Sequence, residues 1–228
     1  FRNEGHFDLI QKQLRPGDFV VIQFGHNDQK HPHLQAYNGY PENLRRFIAE
    51  IRAKKALPIL ATPIARNTWT EQNGKLTYND LLHDHAQACI ALGKELNVPV
   101  LDLHQAAMED IIRLGRDASK IYYHQGDWTH TNDYGAVRAA GYAADALRSL
   151  GGTFPEYLPL IQAVSASIKP WKPEAALLLE KPVRLAGVKG PNGTEEGTAA
   201  QDHQAEKDGG DALARLLAAV QSARGQGG

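Results

Sequence analysis

Cysteine and methionine are almost absent from these 228 residues, with one of each. The lone Cys89 admits no internal disulfide, and its setting beside Ala88, Ile90 and Leu92 reads as that of a small buried hydrophobe. Long apolar runs are missing too. None approaches the ~20 residues a helix needs to span a bilayer, so no membrane partner is expected. Charge of one sign is not in excess, with 25 Lys and Arg against 26 Asp and Glu. No basic stripe interleaved with aromatics is present, so nucleic acid is not an expected partner either. Position 1 is Phe, the single Met108 lies mid-chain, and the opening segment already reads as the middle of an α/β unit. A stretch before Phe1 is therefore expected to have been removed or left unrecorded, which puts any signal peptide out of view.

What is present is ordinary for a globular domain: 42% hydrophobic and 22% charged residues, enough to bury one sizeable core. Phe7, Ile10 and Leu14 recur at helical spacing, Arg15-Pro16-Gly17-Asp18 interrupts, and Phe19 to Phe24 follows as a nearly unbroken apolar run. Such a run predicts a strand buried on both faces of a parallel sheet. The pattern repeats. A helix over 41–55 (Leu44, Phe47, Ile48, Ile51) precedes a strand over 57–63. A polar loop through Asn73-Gly74 then leads to a helix over 78–96, with Leu81, Leu82, His85, Cys89 and Leu92 on or near one stripe, and a strand over 98–103. A short helix over 105–115 and a last one over 133–150 follow, the latter with Val137, Ala140, Gly141, Ala144 and Leu147 facing inward. Helices alternating with strands at this spacing predict right-handed crossovers and an α/β fold of the doubly wound kind. The expected domain covers 1–152. Residues 153–186 form an extension without assignment, 187–210 are too poor in large apolar side chains to repay ordering and read as a flexible linker, and Leu213, Leu216, Leu217 and Val220 predict a short amphipathic helix within 211–228.

Two constellations carry chemistry. Gly25-His26-Asn27-Asp28 follows directly on the first strand, and in open α/β sheets ligands gather outside the carboxyl ends of strands. An Asn there can aim its NH2 group at a developing oxyanion, and Gly25 lets the backbone approach a ligand closely. The same residue types are also common turn formers. The second constellation is Asp127-Trp128-Thr129-His130, just ahead of the last helix. A carboxylate three residues before an imidazole can accept the Nδ1 hydrogen bond and leave Nε2 free as a general base. The plainer alternative is a helix start in which Asp127 or Thr129 caps and His130 is solvated.

Together these motifs resemble the later blocks of GDSL/SGNH hydrolases, Gly-x-Asn-Asp (Gly25, Asn27, Asp28) and Asp-x-x-His (Asp127, His130). The stretch from Arg2 to Phe7 and that from Arg15 to Asp28, including His26, are similar to rhamnogalacturonan acetylesterases, and the resemblance covers about residues 1–150. It implies a flavodoxin-like three-layer α/β/α fold with a parallel sheet of five strands, here lacking its first strands. It also implies hydrolysis of O-acetyl esters on pectic polysaccharide or oligosaccharide by a Ser-His-Asp mechanism, without a metal or other cofactor, in an extracellular or periplasmic setting. By that pattern His130 takes the proton of the nucleophile, Asp127 orients His130, Asn27 helps to hold the oxyanion, and Gly25, His26 and Trp128 line the substrate.

The family's Gly-Asp-Ser block is absent, and Ser119, Ser149, Ser165, Ser167 and Ser222 lie in other contexts. The chain alone is therefore expected to be inactive, and the first strand, lacking its neighbour, to invite aggregation. His31-Pro32-His33 and His83-Asp84-His85 have no facing partners that would complete a metal site. Trp69 could stack on a sugar ring, and Asn192-Gly193-Thr194 fits a glycosylation sequon. The rival readings are a carbohydrate-binding pseudoenzyme and a lipase or thioesterase of the same superfamily.

Overall fold

The computed structural model describes residues 1–150 and, as backbone, the segments 187–189 and 195–198. Among them a parallel sheet of three strands runs in the order β1 (Phe19–Gln23), β2 (Leu57–Ala61), β5 (Val100–Leu101). Phe19 pairs with Leu57 and Gln23 with Ala61, and Leu60 and Ala61 pair with Val100 and Leu101. The helices are α1 (His6–Gln13), α2 (Gly39–Ala53), α3 (His83–Leu96), α4 (Leu103–Leu114) and α5 (Asp133–Ser149), and a hairpin of β3 (Trp69–Gln72) and β4 (Lys75–Tyr78) stands apart from the sheet.

Alternation along β2 sorts the layers. Leu60 is buried with Phe7, Leu44, Phe47, Ile48, Ile51, Cys89 and Leu92, in the core between the sheet and α1, α2 and α3. Ile59 and Ala61 point the other way, into a second core with Leu101 and Leu103 on which Ala143, Ala146 and Leu147 of α5 pack. Residues 44, 47, 48 and 51 fall on one stripe because of the 3.6-residue helical period, and that is why α2 lies flat on the sheet. Cys89 is buried and free, as its neighbours imply.

Several boundaries differ from the reading of the sequence, each for a physical reason. β1 is not buried on both faces: it pairs only with β2 among the described residues, and Val21 is 53% exposed. The polar loop at Asn73-Gly74 is the tip of the β3–β4 hairpin, with both residues at positive φ (53° and 73°), as a two-residue hairpin turn of this twist requires. Tyr78 consequently belongs to β4, and α3 starts only at His83, leaving Leu81 exposed. β5 has two residues, since Asp102 accepts from the Gln105 amide and starts α4 at Leu103. On α5 the buried residues are Tyr134, Gly135 and Ala144, whereas Ala140 faces solvent.

The expected extension 153–186 and helix 211–228 lie outside the described residues. Within the expected linker 187–210, the described segments β6 (Gly187–Lys189) and β7 (Glu195–Thr198) pair antiparallel.

Candidate active site

The carboxyl end of β1 turns sharply at Gly25. Its φ is 136°, and a Cβ there would fall 2.9 Å from both Cβ and Cγ of Pro63, so no larger residue fits without displacement. Asp28 closes the turn by accepting the Gly25 amide at 2.9 Å. Asn27 is left at the exposed tip. Its Oδ1 accepts from Lys30 Nζ at 2.9 Å, which leaves the NH2 end of the amide for a ligand. A cavity of about 580 Å³ opens beside it, lined among others by Phe24, Asn27, His31, Tyr40 and Arg46, and by none of Asp127, Trp128 or His130.

The second turn is built on the segment before α5. Asn132 caps that helix by accepting the Gly135 amide at 2.9 Å, and its own NH2 donates to the Ile121 and Tyr123 carbonyls at 2.9 and 3.0 Å. Gly135 has room for nothing larger, as a Cβ would lie 2.0 Å from the Tyr122 carbonyl oxygen. The His124 amide donates to the His130 carbonyl at 3.2 Å and the Asp127 amide to the His124 carbonyl at 2.9 Å, folding 124–130 into a tight loop. Asp127 is then fully engaged. Its Oδ1 accepts the amides of Thr129 and His130 at 2.6 and 3.0 Å, and its Oδ2 lies 2.6 Å from His130 Nδ1. Burial pushes the Asp127 carboxyl up, but the His130 amide and ring and the Thr129 amide outweigh it and hold the group below the usual carboxylate range. An ionised Asp127 keeps the proton of His130 on Nδ1 and the lone pair on Nε2. The His130 side chain is 79% exposed, and Trp128 beside it 56%.

His26 of the first turn is coupled to the second turn by charge. Burial lowers its ring to about 4, helped by the Arg66 cation and the charges of His130 and His104, against the pull of the Ile64 carbonyl. At neutral pH it is an uncharged imidazole within electrostatic reach of His130. Its carbonyl accepts from Arg66 Nη2 at 2.9 Å, while the next residue, Asn67, donates its amide to the Trp128 carbonyl at 2.9 Å. Arg66 and Asn67 escaped the reading of the sequence. They follow the carboxyl end of β2, and the crevice rule that singled out residues after β1 applies equally there.

Two other polar centres were also missed. Asp110, 5% exposed, accepts from Tyr122 Oη at 2.8 Å, Tyr142 Oη at 2.6 Å, Arg138 Nε at 2.8 Å and Arg113, tying α4 to α5 and to the segment ahead of the 124–130 loop. His104 is buried between the Pro63 carbonyl and Asp80. Of the described serines, Ser119 is buried and donates to the Gly115 and Arg116 carbonyls, and Ser149 donates to the Asp145 carbonyl, so neither hydroxyl is offered to His130. Among the described residues no group of three or more His, Cys, Asp or Glu is disposed to hold a metal ion. His85 is instead buried with Nε2 3.2 Å from the Leu34 carbonyl, and His83 sits at the surface near Asp80.

The family model described as GDSL-like Lipase/Acylhydrolase matches residues 2–138. A Bacillus subtilis (strain 168) protein named rhamnogalacturonan acetylesterase RhgT is 32% identical over 171 residues, covering 69% of this chain and 72% of that protein. Another from the same strain, named probable rhamnogalacturonan acetylesterase YesY, is 30% identical over 175 residues, covering 72% and 75%. The crystal structure of the Bacillus subtilis protein YxiM is similar with a TM-score of 0.58 at 29% identity, over 66% of this chain and 42% of that one. This chain therefore spans less than half of the YxiM structure it matches.

Proposed function

The chain belongs to the GDSL-like lipase/acylhydrolase family, and on that premise we propose that it carries the acid–base half of a carbohydrate O-acetylesterase acting on acetylated pectic polysaccharide. The observation that carries this reading is the 2.6 Å contact of His130 Nδ1 with Asp127 Oδ2, beside an exposed Nε2. In the proposed reaction a serine hydroxyl attacks the acetyl carbonyl while His130 Nε2 takes its proton. Asp127 stabilises the imidazolium without becoming protonated itself, and the Asn27 NH2 donates to the oxyanion. Collapse of the tetrahedral intermediate expels the sugar oxygen, which receives the proton back from His130. Water activated by the same imidazole then frees acetate.

We assign the nucleophile to a Gly-Asp-Ser segment outside these 228 residues, since Ser119 and Ser149 are committed elsewhere and no serine of the chain stands in that context. The names of the RhgT and YesY relatives support the choice of a pectic substrate. The proposed setting is extracellular or periplasmic, where such a polymer is met.

Acetate release from acetylated pectin, compared with hydrolysis of long-chain p-nitrophenyl esters, tests the proposal. The protein expressed from its complete coding sequence is expected to release acetate and to leave the long-chain esters almost untouched. Preference for the long-chain esters would transfer the site to a lipase reading, and the absence of any ester hydrolysis would favour a binding protein.

A further inference from the structure

The reaction proposed above needs Asn27 and the Asp127–His130 pair at a fixed separation, and the inference drawn here rests on that reading. Asn27 and Asp127 are 100 positions apart, and among the described residues no hydrogen bond joins Gly25–Asp28 directly to Asp127–His130. We propose that Arg66 and Asn67 form the brace that sets this separation, with Arg66 acting as a positioning residue for the hydrolytic site.

Two adjacent residues hold one turn each. Arg66 Nη2 donates to the His26 carbonyl at 2.9 Å, immediately before Asn27, and the Asn67 amide donates to the Trp128 carbonyl at 2.9 Å, immediately after Asp127. Both attachments spring from consecutive residues, whose Cα atoms a trans peptide holds ~3.8 Å apart, and burial of the Arg66 side chain restrains its tip. The brace is itself anchored along its length. Tyr123 Oη donates to the Ala65 carbonyl at 3.2 Å, Tyr78 Oη to the Arg66 carbonyl at 2.9 Å, and Asn67 Nδ2 to the Arg116 carbonyl at 3.0 Å, while Trp69 Nε1 donates to Asn67 Oδ1 at 2.6 Å.

Arg66 and Asn67 are 8% and 7% exposed, which makes their geometry a property of the packed interior. Gln29, one residue past Asp28, satisfies both ends of its amide only with its oxygen turned to Arg66, where that oxygen accepts from Nη2 at 3.0 Å and from Nη1 while its nitrogen donates to the Leu81 carbonyl at 2.9 Å. The guanidinium therefore engages the Asn27 turn from two sides, and Asp127 supplies opposing charge from the second turn. A planar fork holds both nitrogens in fixed directions toward these oxygens. An ammonium on a flexible stem offers the charge without the fixed directions.

The test uses Arg66→Gln and Arg66→Lys in the protein expressed from its complete coding sequence, with acetyl-ester kinetics alongside NMR of the His26 ring and the Trp128 indole. Displacing a catalytic group by ~1 Å costs about 100-fold in rate. Arg66→Gln is accordingly expected to lower kcat by about 10- to 100-fold with KM within about twofold, and Arg66→Lys to recover part of the loss. A kcat for Arg66→Gln within about twofold of the parent overturns the proposal. Should Arg66→Gln fail to fold, Tyr78→Phe releases the Arg66 carbonyl and leaves the guanidinium intact. A several-fold drop in kcat then supports the brace, and an unchanged kcat overturns it. If the parent protein hydrolyses no acetyl ester, the proposed function fails and the NMR arm decides the brace alone. Arg66→Gln must then move the Trp128 indole signal together with that of His26, and a Trp128 signal that stays in place overturns it.

Discussion

The Nε2 atom of His104 lies 2.9 Å from Asp80 Oδ2, forming a buried imidazole–carboxylate pair in the same domain as the exposed pair of His130 and Asp127. The two pairs differ in what the far nitrogen meets. His130 presents Nε2 to the exterior, whereas His104 points Nδ1 at the Pro63 carbonyl, 3.1 Å away. With an acceptor at each nitrogen, the ring is satisfied only when doubly protonated.

This predicts a window of pH for the stability that His104 contributes. Burial lowers the basicity of the His104 ring, but the hydrogen bond and charge of Asp80 outweigh it and leave the group raised. Burial raises the Asp80 carboxyl, and His104 outweighs that and leaves it lowered. A raised His contributes fully below its unfolded value of about 6.5 and is lost as pH rises through its folded value. A lowered Asp contributes above about 3.9 and is lost as pH falls through its folded value. The difference in Tm between the parent and His104→Gln should therefore be largest between about pH 4 and 6.5 and shrink toward alkaline pH. Calorimetric scans across that range check it, and a gap that widens as pH rises would contradict the assignment.

Gly25→Ala forces a side chain into a left-handed backbone and against Pro63. The expected cost is about 1–3 kcal/mol, from strain at a positive φ and from local overpacking. Urea unfolding measures it. A loss below about 0.5 kcal/mol would show that the turn relaxes freely.

Asp110→Asn removes the charge that Arg138 and Arg113 face and that, together with the larger effect of burial, holds the Tyr122 hydroxyl up at about 12. The expected destabilisation is about 3 kcal/mol, at the low end for a broken buried ion pair because both arginines keep part of their solvent. Urea midpoints of Asp110→Asn and Tyr142→Phe should show the first to be much the more damaging.

β1 offers an unpaired edge among the described residues, with Val21 exposed on it. Such edges promote self-association, and charge on them opposes it. Val21→Lys in the 228-residue chain should reduce light scattering on concentration while leaving the unfolding midpoint nearly unchanged. Equal scattering by both proteins would assign association to another surface.

The alternation of apolar runs was legible from residue pattern alone because each element obeys its own period: residues 44, 47, 48 and 51 of α2, and the continuous run 57–61 of the central strand. The spacing of Asp127 and His130 was legible for the same reason, since their contact is local. The edge position of β1 was legible only through the family resemblance, which implies a missing neighbour, because Phe19–Gln23 by itself reads the same with one neighbour or two. The β3–β4 hairpin was passed over although Asn73-Gly74 marks it, since Thr70, Glu71, Gln72 and Lys75 face solvent and provide no apolar alternation. The contacts of Arg66 with His26, of His104 with Asp80 and of Asp110 with Arg138 span 24 to 40 residues, and local sequence does not report contacts at that distance.

The most direct measurement is the rate of acetate release from acetylated pectin by the protein expressed from its complete coding sequence, for the parent, His130→Ala and Asp127→Asn. Loss of about 10³- to 10⁴-fold in kcat in each variant, with the fold intact by circular dichroism, is the predicted result. Acetate release by His130→Ala at a rate near that of the parent would contradict the account.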